Sequence, residues 1–579
     1  MQPNGNEPAQ AYDVVIAGTG IAGVAAALAA AEAGLSVALF EKDAFVGGGT
    51  CLSYGGIWVG CNHLAKAAGI SDSRNAVHEY MRFVAGGAAD DKLMATYIDQ
   101  SPVAIEFFSR CGVAFQLTRG LADHYYPVAP GSTADGRSIE PVPISTDELG
   151  DWGPKIRDSF IDPRILTVEE FTTWGGVVNY NNWDHERIAG RIKNRIKANG
   201  PALIAHFVKA LLKRNVPIFL ATPVQALEHE SGCTSGVRIR EGRAVRARKG
   251  VVLATGGWEG DPILAREFEG VPDACSPFPR AVNGDGWRLA CAAGATTALI
   301  RNNLAIMLGF YVPPDDPTSE AEFRLAQIME CQCPHTIIVN ARGERFSDES
   351  YFQDTVEALR RYDIWARDYV NSPSYLIFDR QYVDGFSFAG AVPGTVPPQW
   401  VSRGDTLDEL ASKLAISPEG LARTVANFNT FAHSGIDQDF HRGEKRWSLA
   451  DRDAIKGGNP INRRLGTLEK PPYYGLRLYP GVFVSSGGVR TNSHGQVVDA
   501  HRLSGRPTHA SRRLISAVAP TVASGPSNAF SGSSDSALFQ DCAARFRSDR
   551  VRNHGSICDL WHQRRPWVPR SERKVRRMG

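Results

Sequence analysis

No window of this chain holds the roughly 18 uninterrupted apolar residues that a membrane-crossing helix needs, and no basic run precedes an apolar stretch near the start. These absences predict a cytoplasmic protein without integral membrane contact. The ten cysteines follow neither metal-ligand nor disulfide-scaffold spacing. Cys331 and Cys333 could form one ligand pair, but no second pair lies near, so reduced thiols and no metal are expected. Internal repeats are lacking. A strong net charge is lacking too, with 64 Lys and Arg against 62 Asp and Glu, a balance of +2. That balance is uneven: residues 501–579 hold 14 Arg and 1 Lys against 5 acids, a local +10, which leaves residues 1–500 at −8. The basic tail has no aromatic interleaving and no recognised module, so nucleic acid is not the expected partner.

What is present is a globular composition, 43% apolar and 22% charged over 579 residues, enough for more than one core. Residues 1–11 are polar and read as a disordered N-terminus. Residues 12–42 read as strand, glycine turn, Ala-rich helix and strand, one βαβ unit. Residues 62–130 are helix-rich, and 131–200, rich in Gly, Pro and Trp, read as a lobe over a pocket. Residues 200–227 return to helix and strand, and 246–257 form a buried strand ending in glycines. The class predicted is α/β: a Rossmann-like dinucleotide-binding domain assembled from separated segments (12–275 and 441–500), with an inserted α+β substrate or cap domain (276–440).

Gly18, Gly20 and Gly23 form GTGIAG between a strand and a helix. The first glycine permits the tight turn, the second lets backbone approach a pyrophosphate, and the third allows helix–strand packing. The helix start, through Ile21 and Ala22, offers amide donors and dipole to phosphate. Glu41 ends the second strand 18 residues past Gly23, placed to accept from a ribose hydroxyl pair, with Lys42 beside it. A second glycine-rich stretch, VGGGTCLSYGGIWVG, a strand-end ATGG and an NGDG before a helix follow.

This ordered set resembles the FAD-dependent 3-ketosteroid dehydrogenases of the fumarate reductase/succinate dehydrogenase flavoprotein family, from about residue 12 to 500. The resemblance implies FAD as cofactor, bound by Gly48, Gly49, Thr50, Cys51, Ser53, Gly55 and Gly56, by Thr255 and Gly256, by Asp285, and by the strand at Val224 facing adenine. Reductases of the family clamp dicarboxylates with cations and place a proton-donating arginine after an RF-x-x-E motif. Arg345, Phe346 and Glu349 keep that motif, yet the arginine position is Gln353, which cannot donate a proton as a strong acid–base group. A dicarboxylate substrate is disfavoured.

A ketone in an apolar ring needs instead a hydrogen-bond donor at its carbonyl, a base for one hydrogen and a hydride acceptor for the other. The resemblance implies Tyr351 as the base and Tyr126 or Tyr125 as the assisting phenol, acting on a small apolar steroid with electrons passing to an unidentified acceptor. Tyr351 departs by position from the usual 1,2-desaturating pattern, which points to a 3-oxo-5α-steroid 4-dehydrogenase. A 3-oxosteroid 1-dehydrogenase stays open, as do, more distantly, a reductase of an unsaturated acid and a catalytically dead flavin-binding protein. His124 reads as a surface or helix-end residue, and Gln353 as a group bonded within its own turn. After Ala500 the expected strand and ketone-binding tyrosine are not found. Either residues 501–579 are a divergent extension, or the coding frame changes near residue 500.

Overall fold

In the computed structural model of the chain, residues 8–158, 165–176, 183–276, 278, 280–299, 306–313, 322–328, 330–444, 457–498 and 514–516 are described. The N-terminal residues 1–7, and the tail apart from 514–516, lie outside them.

The first sheet runs Ile218–Phe219, Val37–Phe40, Ala11–Ala17, Ala244–Leu253, and these neighbours are parallel. Their Val- and Ile-rich cores are buried on both faces, the pattern of a parallel sheet between layers. The hairpin partners Cys233–Ile239 and Val224–Glu230 extend one end antiparallel. The helix Ile21–Glu32 packs with nine of its 12 residues buried. Its alanines let the almost wholly buried helix Asn199–Leu212 approach it closely.

Sequence reading missed a strand beyond residue 500. Leu514–Ser516 pairs parallel with Val251–Leu253, on the edge of that strand whose first residues pair with the hairpin. Three residues inside an Arg- and Ser-rich stretch carry too little apolar periodicity to be seen, yet Leu514 is fully buried.

The second sheet is antiparallel: Glu322–Arg324, Ile306–Val312, Tyr473–Val482, Ser374–Phe378, Thr336–Asn340. Tyr473–Val482 is therefore a central strand of this second sheet, whereas the expected division placed it in the returning nucleotide segment. Alternating apolar residues mark it as a strand but cannot say which sheet it joins. The return comes later, where Val489, Val497 and Leu514 share one buried cluster with Val15, Ala17 and Val251 of the first sheet. Residues 131–200, read as a pocket lobe rich in Gly, Pro and Trp, carry regular elements. Ser138–Pro141 pairs with Ile57–Trp58 and Phe115–Leu117, and helices form at Val168–Thr173 and His185–Lys193.

Candidate active site

The glycine turn is held by contacts that admit no side chain. Gly18 has φ +99°, and a Cβ there would lie 2.2 Å from the Ala254 carbonyl oxygen. A Cβ on Gly23 would lie 2.0 Å from the Gly18 oxygen, so helix and turn are in backbone contact. Gly20 differs: its added Cβ would meet nothing nearer than Thr50 Oγ1 at 3.6 Å. Beside it, a Cβ on Gly48 would meet only Gly20 backbone at 3.9 Å. These two residues thus line an open cradle at the helix N-terminus, the geometry that backbone amides need to reach a phosphate. Thr50 closes the turn, its Oγ1 accepting from Ile21 N–H at 3.0 Å.

Glu41 is buried, and its carboxylate is already engaged: Oε2 accepts from Thr19 N (3.0 Å) and Thr19 Oγ1 (2.7 Å), and Oε1 from Asp43 N (3.0 Å). Lys42 reaches across to Asn283 (2.7 Å) and Asp285 (2.5 Å), tying the second strand to the NGDG turn. Thr255 Oγ1 accepts from Gly286 N–H at 3.1 Å. Gly256 has φ +75°, a conformation that favours glycine. Val224 begins its strand half-buried, opposite Ile239.

The residues 48–56 fold as a 3-10 turn, Gly48–Leu52, followed by an extended stretch. Cys51 is buried, and burial pushes its thiol up, so it serves here as packing. A Cβ on Gly49 would lie 2.6 Å from the Phe278 ring. Ser53 and Gly55 pack on the start of the helix Asn199–Leu212, which sequence reading saw as a helix but not as part of the site. The Ser53 oxygen accepts from Gly200 N–H at 3.0 Å, and a Cβ on Gly200 would be 1.9 Å from the Thr50 oxygen. Asn199 before it has φ +57°, and its buried Oδ1 has no partner. Gly-Pro at 200–201 was the available signal, a helix start with no room for a side chain.

The tyrosines meet at the edge of the inserted domain. Tyr351 caps the helix Phe352–Leu359 and is buried with Met307, Phe323, Leu325, Phe352 and Phe483; Tyr125, Phe278 and Val484 pack against this group. The Tyr125 and Tyr351 rings stand edge to face at 6.4 Å and 75°, and a side-chain hydrogen bond joins them. Burial pushes both phenols above their ordinary value, and the shared hydrogen bond favours ionisation of Tyr125 and opposes that of Tyr351. Tyr126, next in the chain, is half-buried. His124 is not at the surface. It is 4% exposed, its backbone N–H donates to Tyr80 OH, and burial holds the imidazole neutral.

The retained RF-x-x-E motif is a scaffold. Arg345 grips Glu349 through two hydrogen bonds (2.6 and 2.9 Å) and Asp437 through two more (3.2 and 2.8 Å). Buried Arg442 joins from below, donating to Glu349 and to the oxygens of Cys331, Cys333 and Thr336. All four groups are buried, so their charges satisfy one another and fix the turn carrying Tyr351. Gln353 does not bond within that turn as the sequence suggested. Neither of its amide atoms has a partner, although it is 5% exposed.

The FAD-binding-domain family matches residues 13–505, and a 3-oxosteroid 1-dehydrogenase of Mycobacterium tuberculosis is 32% identical over 530 residues, 84% of this chain and 90% of its own. The chain belongs to this FAD-binding flavoprotein family. Its cofactor is FAD, and it is an FAD-dependent oxidoreductase of the group that holds 3-ketosteroid dehydrogenases and fumarate reductases. A 4-oxocyclohexanecarboxylate 2-dehydrogenase of Sinomonas cyclohexanicum is also 32% identical, over 507 residues and 85% of each chain. The flavoprotein superposes on the crystal structure of the 3-ketosteroid delta1-dehydrogenase of Sterolibacterium denitrificans with 1,4-androstadiene-3,17-dione. The TM-score is 0.79 at 25% identity, with 93% of this chain and all of that one covered. The open cradle at Gly20 and Gly48, which a Cβ would begin to fill, fits the flavoprotein's dinucleotide. Among its described residues no helix is long and apolar enough to cross a membrane, and no cluster of His, Cys, Asp and Glu could hold a metal ion.

Proposed function

We propose that this flavoprotein desaturates the bond between the α and β carbons of a ring ketone, with a 3-oxosteroid as substrate and ring A as the reacting ring. The observation that carries this reading is the phenol pair Tyr125–Tyr351 set in an aromatic and aliphatic wall. Bound FAD supplies the hydride acceptor. Backbone at Gly20 and Ala22 holds the pyrophosphate over a turn shaped by Gly18, Ile21 and Gly23, with Glu41 and Lys42 at the ribose end and Val224 near adenine. Residues Gly48, Gly49, Thr50 and Gly56 support the flavin, with Cys51, Ser53 and Gly55 packed behind them, and Thr255, Gly256 and Asp285 complete the enclosure.

Tyr351 receives the α proton. As it does so, its own hydrogen passes along the hydrogen bond to Tyr125, whose less buried hydroxyl passes a proton outward. Phe323, Phe352 and Phe483 hold the apolar ring flat and keep water away. Electrons then leave to an acceptor other than a nicotinamide. Among ring-A positions we take 1,2-desaturation as the reading, supported by relatives of 31–32% identity named 1-dehydrogenases. The displaced position of Tyr351 favours 4,5-desaturation as the second reading.

Anaerobic bleaching of the flavin separates these. A 4-ene-3-ketosteroid that bleaches it supports 1,2-desaturation, and bleaching by a saturated 5α-3-ketosteroid alone supports 4,5-desaturation. Tyr351→Phe is expected to keep FAD and lose turnover about 10²–10⁴-fold. Full turnover in that variant overturns the assignment of the base.

A further inference from the structure

Three glutamines are buried around the turn that carries Tyr351, and two are fully bonded. Gln327 Oε1 accepts from Leu308 N–H at 2.8 Å, and its Nε2 donates to Thr355 Oγ1 at 2.7 Å. Gln332 Nε2 donates to the Gln327 and Ser350 oxygens, and its Oε1 accepts from Arg464 at 2.6 Å. Gln353, 5% exposed, bonds through neither atom. Burying an amide with donor and acceptor both unmet is unfavourable. Gln353 is the second residue of the helix Phe352–Leu359, two residues past Tyr351 on the same buried turn. The phenols of that pair are already bonded to each other. The neighbouring wall of Met307, Phe323, Leu325, Phe352 and Phe483 offers no polar side-chain atom except the Met307 thioether.

We infer that Gln353 is the polar recognition residue of the substrate pocket and takes a hydroxyl group carried by the ring ketone near its reacting bond. This rests on the ring-ketone reading above. A ketone oxygen only accepts, and would leave Oε1 unmet. One hydroxyl meets both atoms, its hydrogen going to Oε1 and its lone pair receiving Nε2–H, which closes a cyclic pair of hydrogen bonds. A pocket built to bond a hydroxyl discriminates against the analogue lacking it, because the amide then stays unpaired. Gln353 thereby sets specificity, and Tyr351 on the same turn handles the proton.

The test uses the FAD-loaded full chain with 4-androstene-3,17-dione and its 9α- and 11α-hydroxy derivatives. The parent is expected to prefer one hydroxylated steroid, and Gln353→Leu to lower the kcat/KM ratio of hydroxylated to unsubstituted steroid tenfold or more. The melting temperature of Gln353→Met is expected to rise by a few degrees, since it removes buried unpaired polar atoms at equal chain length. An unchanged ratio overturns the inference, and so does a fall in melting temperature, which would show the amide bonded within the fold. Flavin in the parent that no steroid bleaches overturns the steroid reading and this inference with it. Bleaching by every steroid alike, with the ratio unmoved, overturns this inference alone.

Discussion

The dinucleotide cradle and the substrate turn are built on opposite principles. At the cradle, function resides in backbone that must come close, so the informative residues are those that lack a side chain. Gly18 and Gly23 are pressed against carbonyl oxygens, and only Gly20 and Gly48 open onto space. At the substrate turn the backbone is held by side chains, through Arg345, Glu349, Asp437 and Arg442. The motif shared with reductases is the part that holds, and the residues it presents, Tyr351 and Gln353, are the part that differs. A shared motif therefore identifies the frame in one region and the ligand in the other.

Substitutions can break this comparison, beginning with the largest effect. Gly23→Ala drives a methyl to within 2.0 Å of the Gly18 oxygen. The variant is expected to purify without flavin, read from its visible absorbance, and a yellow variant would show that the turn can yield. Arg345→Ala leaves Glu349 and Asp437 buried without their partner. Denaturant unfolding is expected to show a loss of about 3–5 kcal/mol, with the first sheet still formed. A loss below about 1 kcal/mol would show that the ion cluster is not the frame of the turn.

A smaller effect concerns Glu330, buried beneath the loop it holds through Ala389 N–H at 3.3 Å. Burial pushes its carboxyl from 4.5 to about 7. The folded chain keeps this proton more tightly than the unfolded chain. Its contribution to stability is whole below about pH 4.5 and is lost as pH rises through about 7. Relative to the parent, Glu330→Gln is expected to gain up to about 3 kcal/mol between pH 5 and 8, measured by paired unfolding curves. A difference that does not move with pH refutes it. Least of all, Lys42→Ala breaks a pair whose side chains are 26% and 38% exposed. It is expected to cost less than about 1 kcal/mol, so a larger loss would make Lys42 part of the cradle's frame.

Legibility follows the same division. Gly18, Gly20 and Gly23 were readable because a strand, a turn and a helix within one βαβ unit demand them at set spacing. The absence of arginine at 353 was readable as well, and it steered the reading away from dicarboxylates. Which of Tyr125 and Tyr126 faces Tyr351 was not readable, since neighbouring residues point to different sides and only packing chooses. Nor was the burial of His124, because polar neighbours in sequence conceal a contact with Tyr80. The strand Leu514–Ser516 was hidden by its arginine-rich surroundings, and its partner Val251–Leu253 lies far back in the chain.

By itself the amino-acid order determined the nucleotide half and the class of its cofactor, because turn conformation and helix start depend on residues within a few positions of one another. Only the tertiary structure decided which tyrosines meet. Residues 125 and 351 come from separate stretches of the chain, and they meet because the inserted domain lays its buried turn against the helical segments after the first sheet. Such a meeting depends on how two cores pack, and no local preference of either residue encodes it.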